Sequence, residues 1–174
     1  MKTKILCFVT LFFLSTGFLP AQDKKEKRKK EREEKMEELA ENRSFAIIAD
    51  FIYDRYNRSV VAPLNNFIII DGDEFILQTA HPFTFGQNGL GGYTFQGRIT
   101  DYEILTDEDD KNVSIVIQVM SPGLGQGSLN VNFSSYTNAR ASFLGNFGRR
   151  ITFAGDIKSL EEASTFIGTP FLGL

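Results

Sequence analysis

The sequence predicts an all-β protein of about eight antiparallel strands, folded as a sandwich or flattened barrel, with a charged helix before it and a short C-terminal helix after it. Three observations predict this. From Ser44 to Ile157 apolar residues recur with period two, the mark of half-buried strands. Turn-forming groups such as Asp54–Asn57, Asn65-Asn66, Asp71-Gly72 and Tyr136–Asn138 separate those segments at short intervals. The composition, 174 residues with 42% hydrophobic and 24% charged, suits one globular domain and excludes wholesale disorder or a polytopic membrane protein.

The N-terminal segment reads as a signal peptide over residues 1–21. Lys2 and Lys4 make a positive start, Ile5–Leu14 is an apolar run of ten residues, and Gly17 and Pro20 break it. Ten helical residues rise about 15 Å, half of a bilayer core, so the run is too short to span, and the mature chain has no transmembrane segment. The cut is expected after Ala21, leaving Gln22 first, or after Gly17 because Leu19 is large for the minus-three position. Export places the mature protein outside the cytoplasm, in the periplasm or secreted. Cys7, the single cysteine, leaves with the leader.

Residues 22–40 form a charged helical spacer. The run DKKEKRKKEREEKMEE over 23–38 has eight basic and seven acidic residues, and pairs such as Glu26–Lys30 stand four apart in the favourable order. Only Met36, Leu39 and Ala40 offer an apolar stripe, so the spacer is expected to be solvated and removable at little cost in stability. A weak surface contact through Lys24, Lys25, Lys27, Arg28, Lys29 and Lys30 is its candidate role. The mature chain carries 17 basic against 22 acidic side chains, a net near −5 that disfavours nucleic acid as a partner.

Residues 41–174 form the single β domain. Phe45, Ile47, Ala49, Phe51 and Tyr53 share one face of the first strand. Phe67–Ile70 is followed by Asp71-Gly72, a tight-hairpin signal, and Glu74–Thr79 returns with Phe75 and Leu77 inward. In the long strand Tyr93–Leu105 the apolar positions change from odd to even, and Gly97 near the change suggests a bulge or bend. Val113–Val119, Leu129–Phe133, Ala139–Phe143 and Ile151–Ile157 alternate cleanly. Ser159-Leu-Glu-Glu162 has the capping-box pattern, with Leu160, Ala163 and Ile167 on one helical face, which predicts the C-terminal helix. The apolar tail Phe171–Leu174 is expected to dock on the domain.

The chemistry is sparse. His81 is the sole histidine, there is no Gly-x-Ser-x-Gly elbow, and the Gly-rich stretches 86–92 and 123–127 open no helix, so neither a relay nor a phosphate cradle is built. Asp107–Asp110 lacks the ligand spacing of a calcium loop and reads as a solvated turn. Asp101 and Glu103 share one side of a strand, a common pattern. No catalytic, cofactor or metal residue is assigned. Asn-x-Ser occurs at Asn42, Asn57, Asn112 and Asn132, which matters only in a pathway that glycosylates such sites.

Several pieces resemble the domain-of-unknown-function family DUF4251, small secreted proteins of Gram-negative bacteria. They are Asn42–Phe45 with Ile48–Asp50, Asn66–Asp73, Tyr93–Gly97 with Asp101-Tyr102, Ser135–Ala141 and Arg150–Gly155. The resemblance implies an extracytoplasmic β domain without an established activity or site. It departs at Thr79–Gly86, where the family has a Leu-Pro-Tyr-Phe-Gly-like segment. His81, Phe83, Phe85 and Tyr93 in that region form the candidate contact loop, since aromatics beside glycines either plug the sheet or concentrate binding energy. The expected function is that of an exported, non-catalytic cell-envelope protein contacting an unknown protein, glycan or envelope component, or serving structurally. The alternative is a carrier of an apolar small molecule in a Phe-lined β cavity.

Overall fold

In the computed structural model the lysine- and glutamate-rich run folds as one helix, α1 (Leu19–Glu41), and the alternating segments become nine strands. These are β1 (Ser44–Tyr53), β2 (Arg58–Val60), β3 (Phe67–Asp71), β4 (Glu74–Thr79), β5 (Tyr93–Leu105), β6 (Val113–Ser121), β7 (Gly125–Phe133), β8 (Ala139–Gly145) and β9 (Arg150–Lys158). The structure describes residues 19–53, 58–61, 63–80, 88–105, 112–122, 125–134, 136–146, 148 and 150–170. Residues 1–18 of the predicted leader 1–21, the acidic turn 106–111 and the tail 171–174 lie outside them. No helix among the described residues is long and apolar enough to cross a membrane.

Strands β3 to β9 pair antiparallel in sequence order, and β1 joins β3 on one side and β9 on the other. Eight strands therefore close into a barrel, which removes open sheet edges and decides between sandwich and barrel. The short β2 pairs with Phe51–Tyr53 and prolongs the β3 side of β1. Connections β1–β3, β4–β5, β6–β7 and β8–β9 lie at one end, the upper rim; α1 enters β1 at the other.

Closure changes which side chains face inward. The pairing of β1 with β9 shifts between Ala49 and Phe51, a bulge that inserts Asp50. Phe45, Ile47 and Ala49 point into the core, but beyond the bulge Ile52 does, and Phe51 and Tyr53 are half-buried outside it. The predicted single apolar face thus ends at Ala49, because one extra residue reverses the alternation. Gly155 permits the approach: a Cβ there would lie 2.1 Å from the Ile48 carbonyl oxygen. In β5 the bulge falls between Ile99 and Asp101 and not at Gly97, whose Cβ would lie 2.4 Å from the Met120 carbonyl oxygen. Gly97 serves close strand contact instead. The β3–β4 hairpin turns one residue later than its sequence signal: Asp71 pairs with Glu74, and Gly72 alone takes positive φ, 58°.

The barrel interior is filled by aromatic and branched side chains. The rings of Phe75 on β4 and Phe143 on β8, strands diametrically opposed in the ring, stack at 5.9 Å between centroids. Phe45 and Phe133 approach to 6.4 Å in tilted geometry. Gly127 makes room for Phe143, since a Cβ would lie 2.5 Å from its Cζ.

The end of α1 is part of this core. Met36 is 1% exposed and Ala40 is buried in the same cluster as Phe45 and Phe133, with Leu39 packed against it. The Tyr102 hydroxyl donates to the Ala40 carbonyl oxygen at 2.6 Å. The helix ends at Glu41, and Arg43 in the turn that follows has a φ of 49°, the left-handed conformation usual just past a helix. Arg43 lies 4.6 Å from the Tyr102 ring centroid and pairs with Asp73 at 3.2 Å. Lys27, Arg28, Lys30, Glu31, Glu34 and Lys35 are exposed, but Met36 and Ala40 toward the helix end are buried, where a solvated spacer is expected.

The predicted C-terminal helix does not form. Ser159 begins a single turn, with the Glu162 and Ala163 amides donating to its carbonyl oxygen, and residues 163–170 then run without helix or strand. Thr165 and Gly168 are weak helix formers, and a helix this short is marginal in water. The barrel offers the backbone better partners. Leu160 and Ala163 pack over Ala46, Ile48 and Phe67 on the outer face of β1 and β3, and the strap continues to the upper rim.

Candidate functional site

Gln78 and Thr94 are cross-strand partners on β4 and β5 whose side chains face away from the core, so they are expected in solvent. Both are buried, because the strap 159–170 and the residues 88–92 cover them. Gln78 Oε1 accepts from Thr94 Oγ1 at 2.7 Å and from the Gly168 amide at 2.8 Å. Its Nε2 donates to the Phe166 carbonyl at 2.7 Å and the Asn65 carbonyl at 3.1 Å. One amide thereby ties together two strands, the strap and the segment before β3.

Asn88 repeats the arrangement beside it. Its Nδ2 donates to the Thr79 carbonyl and to Thr94 Oγ1, both at 3.2 Å, and its Oδ1 accepts from Leu90 and Gly92 amides at 2.9 and 3.0 Å. Asn66 Oδ1 accepts from the Ala80 amide at 2.8 Å. Two glycines are required sterically: a Cβ on Gly92 would lie 1.7 Å from the Thr79 oxygen, and one on Gly168 2.7 Å from the Asn88 oxygen. A buried polar group left without a partner costs about 1–3 kcal/mol, so this network holds its parts rigidly.

The network stands at the base of the candidate contact loop. His81, Phe83 and Phe85 lie outside the described residues, while Ala80 and Asn88 on either side are anchored as above. Tyr93 opens β5 opposite Thr79 and stacks on Phe95 at 5.8 Å, half-buried against the barrel wall. Nearby, Leu64 is 50%, Phe166 56% and Ile167 44% exposed, and the Phe166 amide donates to the Leu64 carbonyl at 3.1 Å. These exposed apolar side chains are grouped on a hydrogen-bonded base and form the candidate contact surface.

The network holds no titratable group, so its chemistry is positional. Among the described residues no group of three or more His, Cys, Asp or Glu side chains is placed to hold a metal ion. Burial pushes Tyr102 at the opposite end up to about 12, with the Arg43 guanidinium acting in the lowering direction. Asp101 and Glu103 remain exposed on the outside of β5. Of the basic cluster, Lys27, Arg28 and Lys30 are exposed and Lys30 pairs with Glu34 at 3.9 Å; Lys24, Lys25 and Lys29 stand in the same helix.

The family model for "Domain of unknown function (DUF4251)" matches residues 27–157, from within α1 to the end of β9, and the chain belongs to the DUF4251 family. The match takes in the turn of α1 that enters the core. The chain is similar to a DUF4251 family protein from Bacteroides eggerthii DSM 20697, known from a crystal structure, at 19% identity and a TM-score of 0.61. That match covers 76% of this chain and 90% of the other, and at such identity it speaks for the fold alone. No curated protein matches the chain.

Proposed function

We propose that the protein acts outside the cytoplasm as a non-catalytic protein-interaction domain of the cell envelope, making its contacts at the upper rim. The observation that carries this reading is the stacking of Phe75 on Phe143 across the full width of the barrel. An eight-stranded barrel is just wide enough either to be filled by side chains or to hold one small ligand. Here rings from opposite walls meet, which favours a solid scaffold over a carrier and turns function to the surface. The rim offers exposed Leu64, Phe166 and Ile167 on a hydrogen-bonded base. Aliphatic and aromatic anchors of this kind suit a protein partner. The export signal Lys2–Ala21 supports a location beyond the inner membrane.

A photocrosslinking residue at position 166, introduced in the native host, tests the proposal. It should capture one envelope protein that a probe at exposed Glu74, at the opposite end, does not. Equal capture at both positions would refute the rim. Intact Met1 on cytosolic protein would refute export, and stoichiometric lipid in the protein purified from its host would restore the carrier.

A further inference from the structure

Two Asn-x-Ser pairs that the rim leaves unused, Asn112-Val-Ser114 and Asn132-Phe-Ser134, meet on the outer wall of the barrel. Side chains two apart along a strand share a face, and the register sets Ser114 opposite Asn132, which stands opposite Arg140 on β8. An amide and a hydroxyl from each of two neighbouring strand segments thus converge. With Asn138 and Arg140 they line an open cleft of about 300 Å³.

The hydrogen bonds within the cleft orient its groups. Ser114 Oγ donates to Asn132 Oδ1 at 2.7 Å, leaving the Asn132 amide N–H groups as donors. Asn138 Nδ2 donates to Ser134 Oγ at 3.2 Å, leaving the Ser134 hydroxyl as a donor and the Asn138 oxygen as an acceptor. Arg140 lies 5.2 Å from the centroid of the Tyr53 ring, reaching over β9 where the opposing residue is the small Ala154. The contact places the guanidinium over the ring, and among the described residues no carboxylate pairs with it.

The wall itself is neutral: β6 and β7 contain no charged residue in either strand. A phosphate- or sulfate-rich polymer calls for several cations, and the cleft supplies one. Donor and acceptor side by side on an amide, and paired N–H groups on a guanidinium, match the adjacent hydroxyls of a sugar ring. The volume is at the small end of ligand sites, suited to one or two rings.

The geometry points to a neutral glycan as the ligand of this cleft, with one sugar unit seated between Asn132, Ser134, Asn138 and Arg140. The site is separate from the rim and does not depend on the proposal made for it. Calorimetric titration of the mature protein with maltohexaose, mannohexaose, xylohexaose and chitohexaose tests it. At least one should bind saturably with roughly millimolar or tighter affinity. Asn132→Ala and Arg140→Ala should each weaken that binding by about tenfold or more, while Phe166→Asp leaves it unchanged. Asn132 and Arg140 are exposed, and an unchanged thermal midpoint verifies that both variants fold. Binding of none of the four, binding that survives both cleft substitutions, or salt-dependent binding of polygalacturonate alone would each overturn the inference.

Discussion

Truncating Met36 to alanine asks whether the last turn of α1 belongs to the barrel. Met36 is 1% exposed within the cluster that contains Phe45 and Phe133. A buried Met→Ala change costs about 2–5 kcal/mol, and a site at the barrel's end, where the helix can settle into the gap, belongs near the lower figure. At about 2–4 °C per kcal/mol for a domain of this size, the midpoint should fall by roughly 4–8 °C. Deleting residues 22–34 removes the exposed Lys27, Arg28, Lys30, Glu31 and Glu34; the Lys30–Glu34 pair, open to solvent on both sides, is worth at most about 0.5 kcal/mol. That truncation should leave the midpoint within about 2 °C. Deleting 22–40 removes Met36, Ala40 and the acceptor of the Tyr102 hydroxyl together, and should cost more than the point substitution. Thermal unfolding followed by circular dichroism, with reversibility checked, reads all three. A Met36→Ala midpoint within about 1 °C of the parent would refute the plug and restore the free spacer.

Tyr102 has a raised pKa, so its neutral form is favoured in the folded state and its contribution is intact below the unfolded value near 10. Stability should fall as the pH climbs from 10 toward 12, and Tyr102→Phe should flatten that fall in urea titrations; an unchanged slope would contradict the assignment. Gly155→Ala drives a Cβ to 2.1 Å from the Ile48 oxygen at the β1 bulge. It should destabilise by about 3 kcal/mol or more, or prevent soluble expression, and a parent-like midpoint would show that the closing strands separate freely. Gln78→Leu strips partners from Thr94, the Gly168 amide and two carbonyls. Hydrogen exchange at Gly168 should then accelerate while β6–β7 amides stay protected; parent-like protection at Gly168 would mean that the strap is held by packing alone.

The candidate site was only partly legible in the sequence. The aromatic loop drew notice because Phe83, Phe85 and Tyr93 flank glycines, but the network beneath it did not. Gln78 and Thr94 occupy the outward positions of alternating strands, where polar residues are ordinary and signal nothing. Their burial follows from the strap, which comes from some ninety residues away in the chain, as the Gly168–Gln78 bond records. Arg140 was equally silent, since a lone exposed arginine acquires meaning only beside Tyr53, two strands away across β9. The Asn-x-Ser repeats were visible, but only the β6–β7 register placed two of them side by side.

By itself the sequence determined the class of the fold, the order and approximate limits of most strands, the helical charged run and the resemblance to DUF4251. Those properties are local. Period-two alternation, turn residues and like spacing of acids and bases act within a few positions and report directly on backbone preference. Only the tertiary structure decided that β1 meets β9, that Asp50 is bulged so Ile52 turns inward, that Met36 and Ala40 seal one end, and that Ser159–Pro170 is a strap and not a helix. In each case the deciding partner is far away in sequence. A strand's pattern says which face is apolar, but not which edge will pair with it. A capping box favours a turn, but cannot outweigh a barrel wall that offers apolar cover to Leu160 and hydrogen bonds to Phe166 and Gly168.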